Sequence, residues 1–209
     1  SFAEGSDLDG DGIPDSQEVD SLIDLDGNQI PDWLEDDIKC VNSTVGDWQI
    51  GVSIENDANA TKIVELRAKD PLDRDERIDT TNMPDDMPWG LVSFKIKVDN
   101  PGDAVTVKIY LSQAVPEGAK WYKYNSFTGD WYAYPHALIV PGRNYVTLEL
   151  EDGNKDYGDI DDKSDGIITD PSGLAVFSQD LTPSGSASTN SSSPGGGASG
   201  CFIATAALD

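Results

Sequence analysis

The sequence predicts an all-β protein, an antiparallel β-sandwich with an acidic calcium-loop segment before it and a linker plus strand-like tail after it. Apolar and polar residues alternate over Trp48–Ile54 and Val105–Leu111, and the stretches LVSFKIKV, NYVTLELE and LAVFS have similar character. This alternation is typical of strands that bury one face. Turn residues separate such stretches at Asn100–Gly102, Thr128–Asp130 and Pro141–Gly142. No stretch of comparable length has the roughly 3.6-residue period of an amphipathic helix. Several short strands with turns between them favour a sandwich.

The charge of the chain excludes several classes of partner. Its 209 residues include 39 acidic and 14 basic side chains, and the formal net charge is -25. Nucleic acids and anionic membrane surfaces are poor partners because both attract a basic face. No apolar run approaches the ~20 residues that a membrane-spanning helix needs. Multivalent cations are the natural partners of such a chain.

Composition divides the chain into four parts. Residues 1–39 contain 13 acidic residues and a single basic one, so we interpret residues 1–40 as acidic calcium-binding repeats. Residues 41–180 form the predicted sandwich domain. Residues 181–200 are a Ser/Gly-rich linker without charged side chains, and residues 201–209 are an apolar tail.

The acidic part contains an internal repeat. Asp7–Glu18 reads DLDGDGIPDSQE and Asp24–Glu35 reads DLDGNQIPDWLE, with eight of twelve positions identical. Side-chain oxygens at positions 1, 3, 5, 9 and 12, with a backbone carbonyl at position 7, are the ligand spacing of a 12-residue calcium loop. We therefore expect about two calcium ions in these repeats. The predicted ligands are Asp7, Asp9, Asp11, Ile13, Asp15 and Glu18 in the first loop and Asp24, Asp26, Asn28, Ile30, Asp32 and Glu35 in the second.

Two features distinguish these loops from a helix–loop–helix calcium site. Gly12 occupies the sharp turn at position 6 of the first repeat, but Gln29 replaces it in the second, which leaves the geometry of the second loop open. Pro14 and Pro31 disfavour a long helix after each loop. These residues resemble thrombospondin type 3 repeats, in which short acidic loops wrap calcium with little other core. The alternative is an acidic disordered linker.

A further acidic stretch lies at Glu151–Gly166. Asp152, Asn154 and Asp156 have the spacing of the first three ligands, but no clear closing glutamate follows. This stretch predicts either an additional calcium site or a solvated acidic loop.

The middle of the chain resembles a family of bacterial surface proteins. Pro88–Phe94, the stretch AVPEGAKWYKYNSFTGDWY and the closing Asp165–Pro171 are similar to the choice-of-anchor U domain, over about residues 45–177. The resemblance implies a secreted, surface-attached protein with an adhesive or structural role. The chain begins at Ser1 without methionine, so we expect a mature form processed on export to the extracellular space or cell surface. The tail GCFIATAALD resembles the start of the CFI-box C-terminal motif.

Groups for catalysis are sparse, and we expect the protein not to be an enzyme. His136 is the only histidine, and neither a nucleophile–base pair nor a phosphate-binding loop is evident. An aromatic run predicts a hairpin whose cross-strand rings pack on each other, and the alternative is a platform for stacking sugars. The run consists of Trp121, Tyr122, Tyr124, Trp131, Tyr132 and Tyr134.

The apolar tail suggests a hypothesis for how copies of the chain assemble. In an extended strand its apolar residues share one side, and such a strand can complete the sheet of a neighbouring copy, which generates a head-to-tail filament. Cys40 and Cys201 could lock that joint as a disulfide between chains, or close within one chain if the tail is only an anchor remnant. The alternative function is a monomeric, calcium-dependent adhesin or glycan-binding module. The proposed assembly strand contains Phe202, Ala204, Ala206 and Leu208.

Overall fold

The computed structural model describes residues 23–55 and 57–177. The first calcium repeat, the Ser/Gly-rich linker, Cys201 and the proposed assembly strand lie outside these residues, so the predictions made for them stay predictions. Within the described part the chain is all-β, as the sequence predicts. No helix there is long and apolar enough to cross a membrane.

Ten strands form two five-stranded sheets in which all neighbours are antiparallel. Sheet A has the order β1-β2-β5-β9-β8, and sheet B has the order β3-β4-β10-β6-β7. The strands are β1 (Ile38–Asn42), β2 (Gln49–Ser53), β3 (Ala60–Lys69), β4 (Leu91–Val98), β5 (Ala104–Leu111), β6 (Lys120–Asn125), β7 (Asp130–Ala133), β8 (Ala137–Ile139), β9 (Tyr145–Glu151) and β10 (Ile167–Ala175). Three short 3-10 turns span Asp32–Leu34, Arg74–Glu76 and Lys155–Tyr157.

The main core lies between the two sheets. Alternate residues of β4 and β5 point into it, as the period-two pattern of LVSFKIKV and AVTVKIYL predicts. Phe94, Val107 and Ile109 have no measurable exposure. The prediction of an antiparallel β-sandwich is confirmed.

The outer face of sheet B carries a second apolar cluster that the sequence did not predict. Met87, Leu91, Tyr124 and Trp131 pack there. The connection between β3 and β4, residues 70–90, contributes Met87 and partly buried neighbours to this cluster. The long loop therefore covers a sheet face that would otherwise be exposed.

The aromatic run forms the predicted hairpin of β6 and β7. Tyr124 and Trp131 are cross-strand partners with ring centroids 4.9 Å apart. Trp121 faces the main core, and the exposed fractions of Trp121 and Trp131 are 2% and 7%. Both tryptophans are too buried to stack on a sugar, so the alternative of a platform built on them is wrong.

Strand β10 is longer than the stretch LAVFS indicates. It begins at Ile167 and passes through Pro171 in the interior of sheet B. It pairs with β4 over residues 167–172 and with β6 over residues 172–175. Proline lacks the N–H that a ladder needs. Pro171 is opposite Ser93 in the β4 ladder and lies one residue before the β6 ladder begins at Ser172.

Candidate calcium site

The second acidic repeat, Asp24–Glu35, forms a loop immediately before β1, and we call it the acidic loop. It is anchored to sheet A by Leu25, whose side chain packs with Cys40 and Tyr110. The carbonyl oxygen of Leu25 also accepts a hydrogen bond from Asn144 Nδ2 at 2.8 Å. The sandwich therefore fixes the position of the loop through both apolar and polar contacts.

Three carboxylates converge in the acidic loop. Asp24, Asp26 and Asp32, at positions 1, 3 and 9 of the calcium-loop spacing, offer oxygens that all lie within 4.8 Å of one another. Asp32 is 1% exposed. Among the described residues this is the one group of three or more acidic, histidine or cysteine side chains arranged so closely. A divalent cation that prefers oxygen ligands suits this donor set.

The backbone turns tightly around the first carboxylate. The Asp24 carboxylate accepts hydrogen bonds from the amides of Gly27 (2.8 Å), Asn28 (3.1 Å) and Gln29 (2.9 Å). Gln29 has a φ of 72°, in the left-handed region that glycine adopts more easily. The loop thus makes the position-6 turn despite the missing glycine, and it does so with a strained residue.

The side chains at positions 5 and 12 are linked to this group by hydrogen bonds, but Glu35 is not among the carboxylates that converge within 4.8 Å, and Asn28 Oδ1 accepts from the amide of Ile30. Asn28 Nδ2 donates to Asp26 Oδ2 at 3.0 Å and to Glu35 Oε1 at 2.7 Å. Glu35 Oε2 is buried without a hydrogen-bond partner among the described residues. A buried carboxylate oxygen without a partner is costly, and a cation in the loop would satisfy it. Ile30, at position 7, has a 47% exposed side chain.

Electrostatics in the loop also favour a cation. Burial is the main cause that raises the pKa of Asp26, Asp32 and Glu35 above the usual values. Repulsion from neighbouring carboxylates raises each of these pKa values further. The ionised cluster is therefore unfavourable on its own, and a bound cation would reverse this effect.

Cys40 contacts the site directly. Its Sγ donates to Asp32 Oδ2 at 2.9 Å, and the free thiol is 5% exposed. Burial is the main cause that raises the pKa of this thiol well above its usual value, so the thiolate needed for disulfide exchange is disfavoured. Cys201 lies outside the described residues, so the predicted pairing stays a prediction. A disulfide at Cys40 would replace its contact with Asp32.

The acidic stretch that follows β9 is held by hydrogen bonds to the surrounding loops. Asp152 is 1% exposed, and its Oδ2 accepts hydrogen bonds from the amides of Gly102 (2.7 Å) and Gly166 (3.0 Å). Asn154 Oδ1 accepts from the amide of Asp156 at 3.1 Å and caps the 3-10 turn that follows. Asp152 ties two loops together and Asn154 caps a turn. The other carboxylate oxygen of Asp152, Oδ1, is buried without a hydrogen-bond partner among the described residues, and the additional calcium site stays a prediction.

His136 lies at a surface cleft of about 420 Å³. Its ring stacks on Tyr157 with centroids 3.9 Å apart and an interplanar angle of 23°. Tyr132, Lys155 and Asp156 also line the cleft. The sequence did not predict this cleft, because its residues come from separate strands and loops.

The fold and the site together define the class of protein. It is a two-sheet β-sandwich with an acidic loop before its first strand, and the carboxylates of that loop suit a cation. No protein-family model, curated protein or solved structure matches this chain.

Proposed function

We propose that the chain is a non-enzymatic, extracellular, calcium-binding structural subunit that assembles head-to-tail into a surface filament or layer through its C-terminal strand. The observation that carries the calcium part is the convergence of Asp24, Asp26 and Asp32 in a loop fixed to the sandwich. Calcium would link the acidic repeats to the sandwich, because metal-binding energy in such a loop is also folding energy. Sites of this extracellular type typically bind at ~10⁻⁴–10⁻³ M, so millimolar calcium would fill them.

The edges of the sheets support the assembly part. Edge strand β3 is interrupted by two register shifts and is rich in charged residues, which are features that protect an edge from pairing. Edge strand β8 is itself protected by its length of only three residues, but it carries no charge, and Leu138 at its centre is 65% exposed. An apolar strand from residues 201–209 of a neighbouring copy would meet fewer charges at β8 than at β3.

Electron microscopy of the full chain in millimolar calcium and in chelator tests the proposal. Filaments or layers in calcium that loosen or vanish in chelator are the expected result. Deletion of residues 199–209 should abolish assembly while the circular dichroism spectrum of the sandwich is retained. Single particles under both conditions, or assembly that survives the deletion, would contradict the proposed assembly. Calorimetric titration of calcium tests binding separately.

The strained turn allows a sharper test of the calcium site. Gln29→Gly should bind calcium more tightly than Gln29→Ala by about 1 kcal/mol, roughly fivefold in Kd, because alanine keeps the penalty of the left-handed conformation and glycine removes it. Calorimetric titration of both variants measures the difference. Equal affinities would show that this turn is not part of the calcium-bound loop.

The cleft at His136 favours a second candidate function. Tyr132 and His136 present rings beside Lys155 and Asp156, and this mixture of flat apolar and polar groups suits a sugar. A monomeric, calcium-dependent glycan-binding module would use this cleft. Glycan-array binding that disappears in His136→Ala, by a protein that stays monomeric in calcium, would favour this function over assembly.

A further inference from the structure

The core of the sandwich contains a charged pair that neither the fold nor the calcium site requires. Lys123 on β6 and Asp170 on β10 have side chains that are 1% and 0% exposed, and Lys123 Nζ lies 2.6 Å from Asp170 Oδ2. Lys123 lies two residues after Trp121 on β6, and Asp170 lies two residues after Ile168 on β10, so each points to the same face as its apolar neighbour. Trp121 and Ile168 both belong to the main core. The pair therefore lies between the sheets, where water does not screen it.

We propose that Lys123 and Asp170 form an intramolecular isopeptide bond, an amide between Nζ and Cγ that joins β6 to β10. The two strands are neighbours in sheet B, with Lys123 directly opposite Ser172. Because Oδ2 is bonded to Cγ, the short contact between Nζ and Oδ2 also brings the amine close to the carbon that it would attack. Reaction requires an approach of about 3–3.5 Å that is held in place, which buried, packed side chains provide.

The surroundings confine the amine. Nζ donates to the carbonyl oxygen of Gly158 at 3.1 Å and lies 4.2 Å from the centroid of the Tyr134 ring. A Cβ at position 158 would lie 2.2 Å from Nζ, so only glycine leaves room for the lysine. Asp170 Oδ1 is buried and has no hydrogen-bond partner among the described residues. An ion pair left with such an oxygen is a costly way to fill a core, whereas an amide carries no charge.

Burial also favours the protonation states that react. It is the main cause that lowers the pKa of Lys123 and raises the pKa of Asp170, against the opposing attraction between the two groups. Both shifts favour a neutral amine facing a neutral carboxylic acid. A neutral amine has the lone pair that an ammonium lacks, and a carboxylic acid is a far better electrophile than a carboxylate.

The reaction balances without an added reagent. The lone pair of Nζ forms a bond to Cγ, the bond from Cγ to one carboxyl oxygen breaks, and that oxygen leaves with its own proton and one proton from Nζ as water. The remaining N–H can keep its hydrogen bond to Gly158. The product ties β10, the last described strand before residues 178–209, to its neighbour. A pull on the C-terminal segment would then meet a covalent bond in addition to the hydrogen bonds of the ladder.

Intact-mass spectrometry of the denatured, reduced full chain is the test. The expected mass is lower than the sequence mass by one water. Trypsin should then yield peptide 121–143 joined to the peptide that begins at Ser164, because Lys123 is no longer a cleavage site. A chain at its sequence mass would overturn the proposal. So would a water loss that maps to an Asp-Gly succinimide or to any other pair, and this peptide map distinguishes those sources.

Matched variants test whether the loss of water depends on the buried pair and not on a partly exposed ion pair. Lys95 and Glu65 form a comparably short ion pair, but their side chains are 39% and 29% exposed. Lys95→Met should keep the loss of one water, whereas Lys123→Met and Asp170→Ala should each restore the sequence mass. The masses of the variants can be read even from denatured material, and retention of the loss in Lys123→Met would also overturn the proposal.

Discussion

Replacing Trp121 with alanine is expected to lower the free energy of unfolding by about 3–5 kcal/mol, because a large buried ring is removed and a cavity is left behind. Trp121 lies on β6, is paired with Leu174 of β10, and is 2% exposed in the main core. Chemical denaturation followed by tryptophan fluorescence and circular dichroism measures the change. The midpoint should fall with little change in the slope.

Phe127→Ala is the matched control for that experiment. Phe127 belongs to the turn of the same hairpin and is 73% exposed, so its truncation should change the unfolding free energy by no more than about 0.5 kcal/mol. Similar losses in the two variants would contradict the assignment of Trp121 to the core. The comparison also matters for function, because a loss of glycan binding in Trp121→Ala would report unfolding rather than a lost contact.

The sequence predicted the strands in which alternation is uninterrupted. Strands β4 and β5 coincide with LVSFKIKV and AVTVKIYL, since each alternates apolar residues toward a single core. Strand β10 was shortened in the prediction because Pro171 and Asp170 interrupt its pattern. Asp170 occupies a core-facing position of that strand, and a polarity pattern reads such a residue as exposed. For the same reason the pattern did not indicate that Lys123 is buried. Its position two residues after Trp121 on the same strand was a signal that could have shown it to face the core.

The ligand spacing of the acidic loop was also predictable, because ligands in a single short loop are brought together by local backbone geometry. Asp24, Asp26 and Asp32 converge as that spacing predicts. The spacing at Asp152 could not indicate that the amides of Gly102 and Gly166, which are distant in sequence, donate to one oxygen of its carboxylate. Only tertiary structure shows which side-chain oxygens are already used by such contacts.

Calcium is expected to raise the free energy of unfolding by about 2–3 kcal/mol at a concentration near 100 times Kd, because it binds the folded loop and not the unfolded chain. Asp26→Asn should remove most of this increment. The substitution is nearly isosteric, takes one charge from the cluster, and leaves an oxygen that can still accept the hydrogen bond now made by the Asn28 amide. In chelator the same variant should be slightly more stable than the native chain, since the substitution removes one charge that is partly buried and repelled by Asp24 and Asp32.

The dependence on pH gives this prediction a definite sign. The pKa values of Asp26, Asp32 and Glu35 are raised by folding without calcium. Their contribution to the calcium-free stability is therefore largest below the ordinary pKa values and is lost as the pH rises through the raised ones. Calcium competes with these protons, so the stability increment that it provides should grow from about pH 4 to about pH 7.

Thermal unfolding at several pH values, each with calcium and with chelator, measures that increment. Asp85→Asn is the matched control because it removes one charge from an exposed carboxylate in the β3–β4 connection. The control should keep the full increment and its growth with pH, while Asp26→Asn loses both. An equal increment in both variants would mean that calcium stabilises the chain by screening its charge of -25 and not by occupying the acidic loop. Magnesium distinguishes these cases again: as a divalent ion it screens to the same extent, but it accepts the flexible, many-oxygen geometry of such a loop poorly.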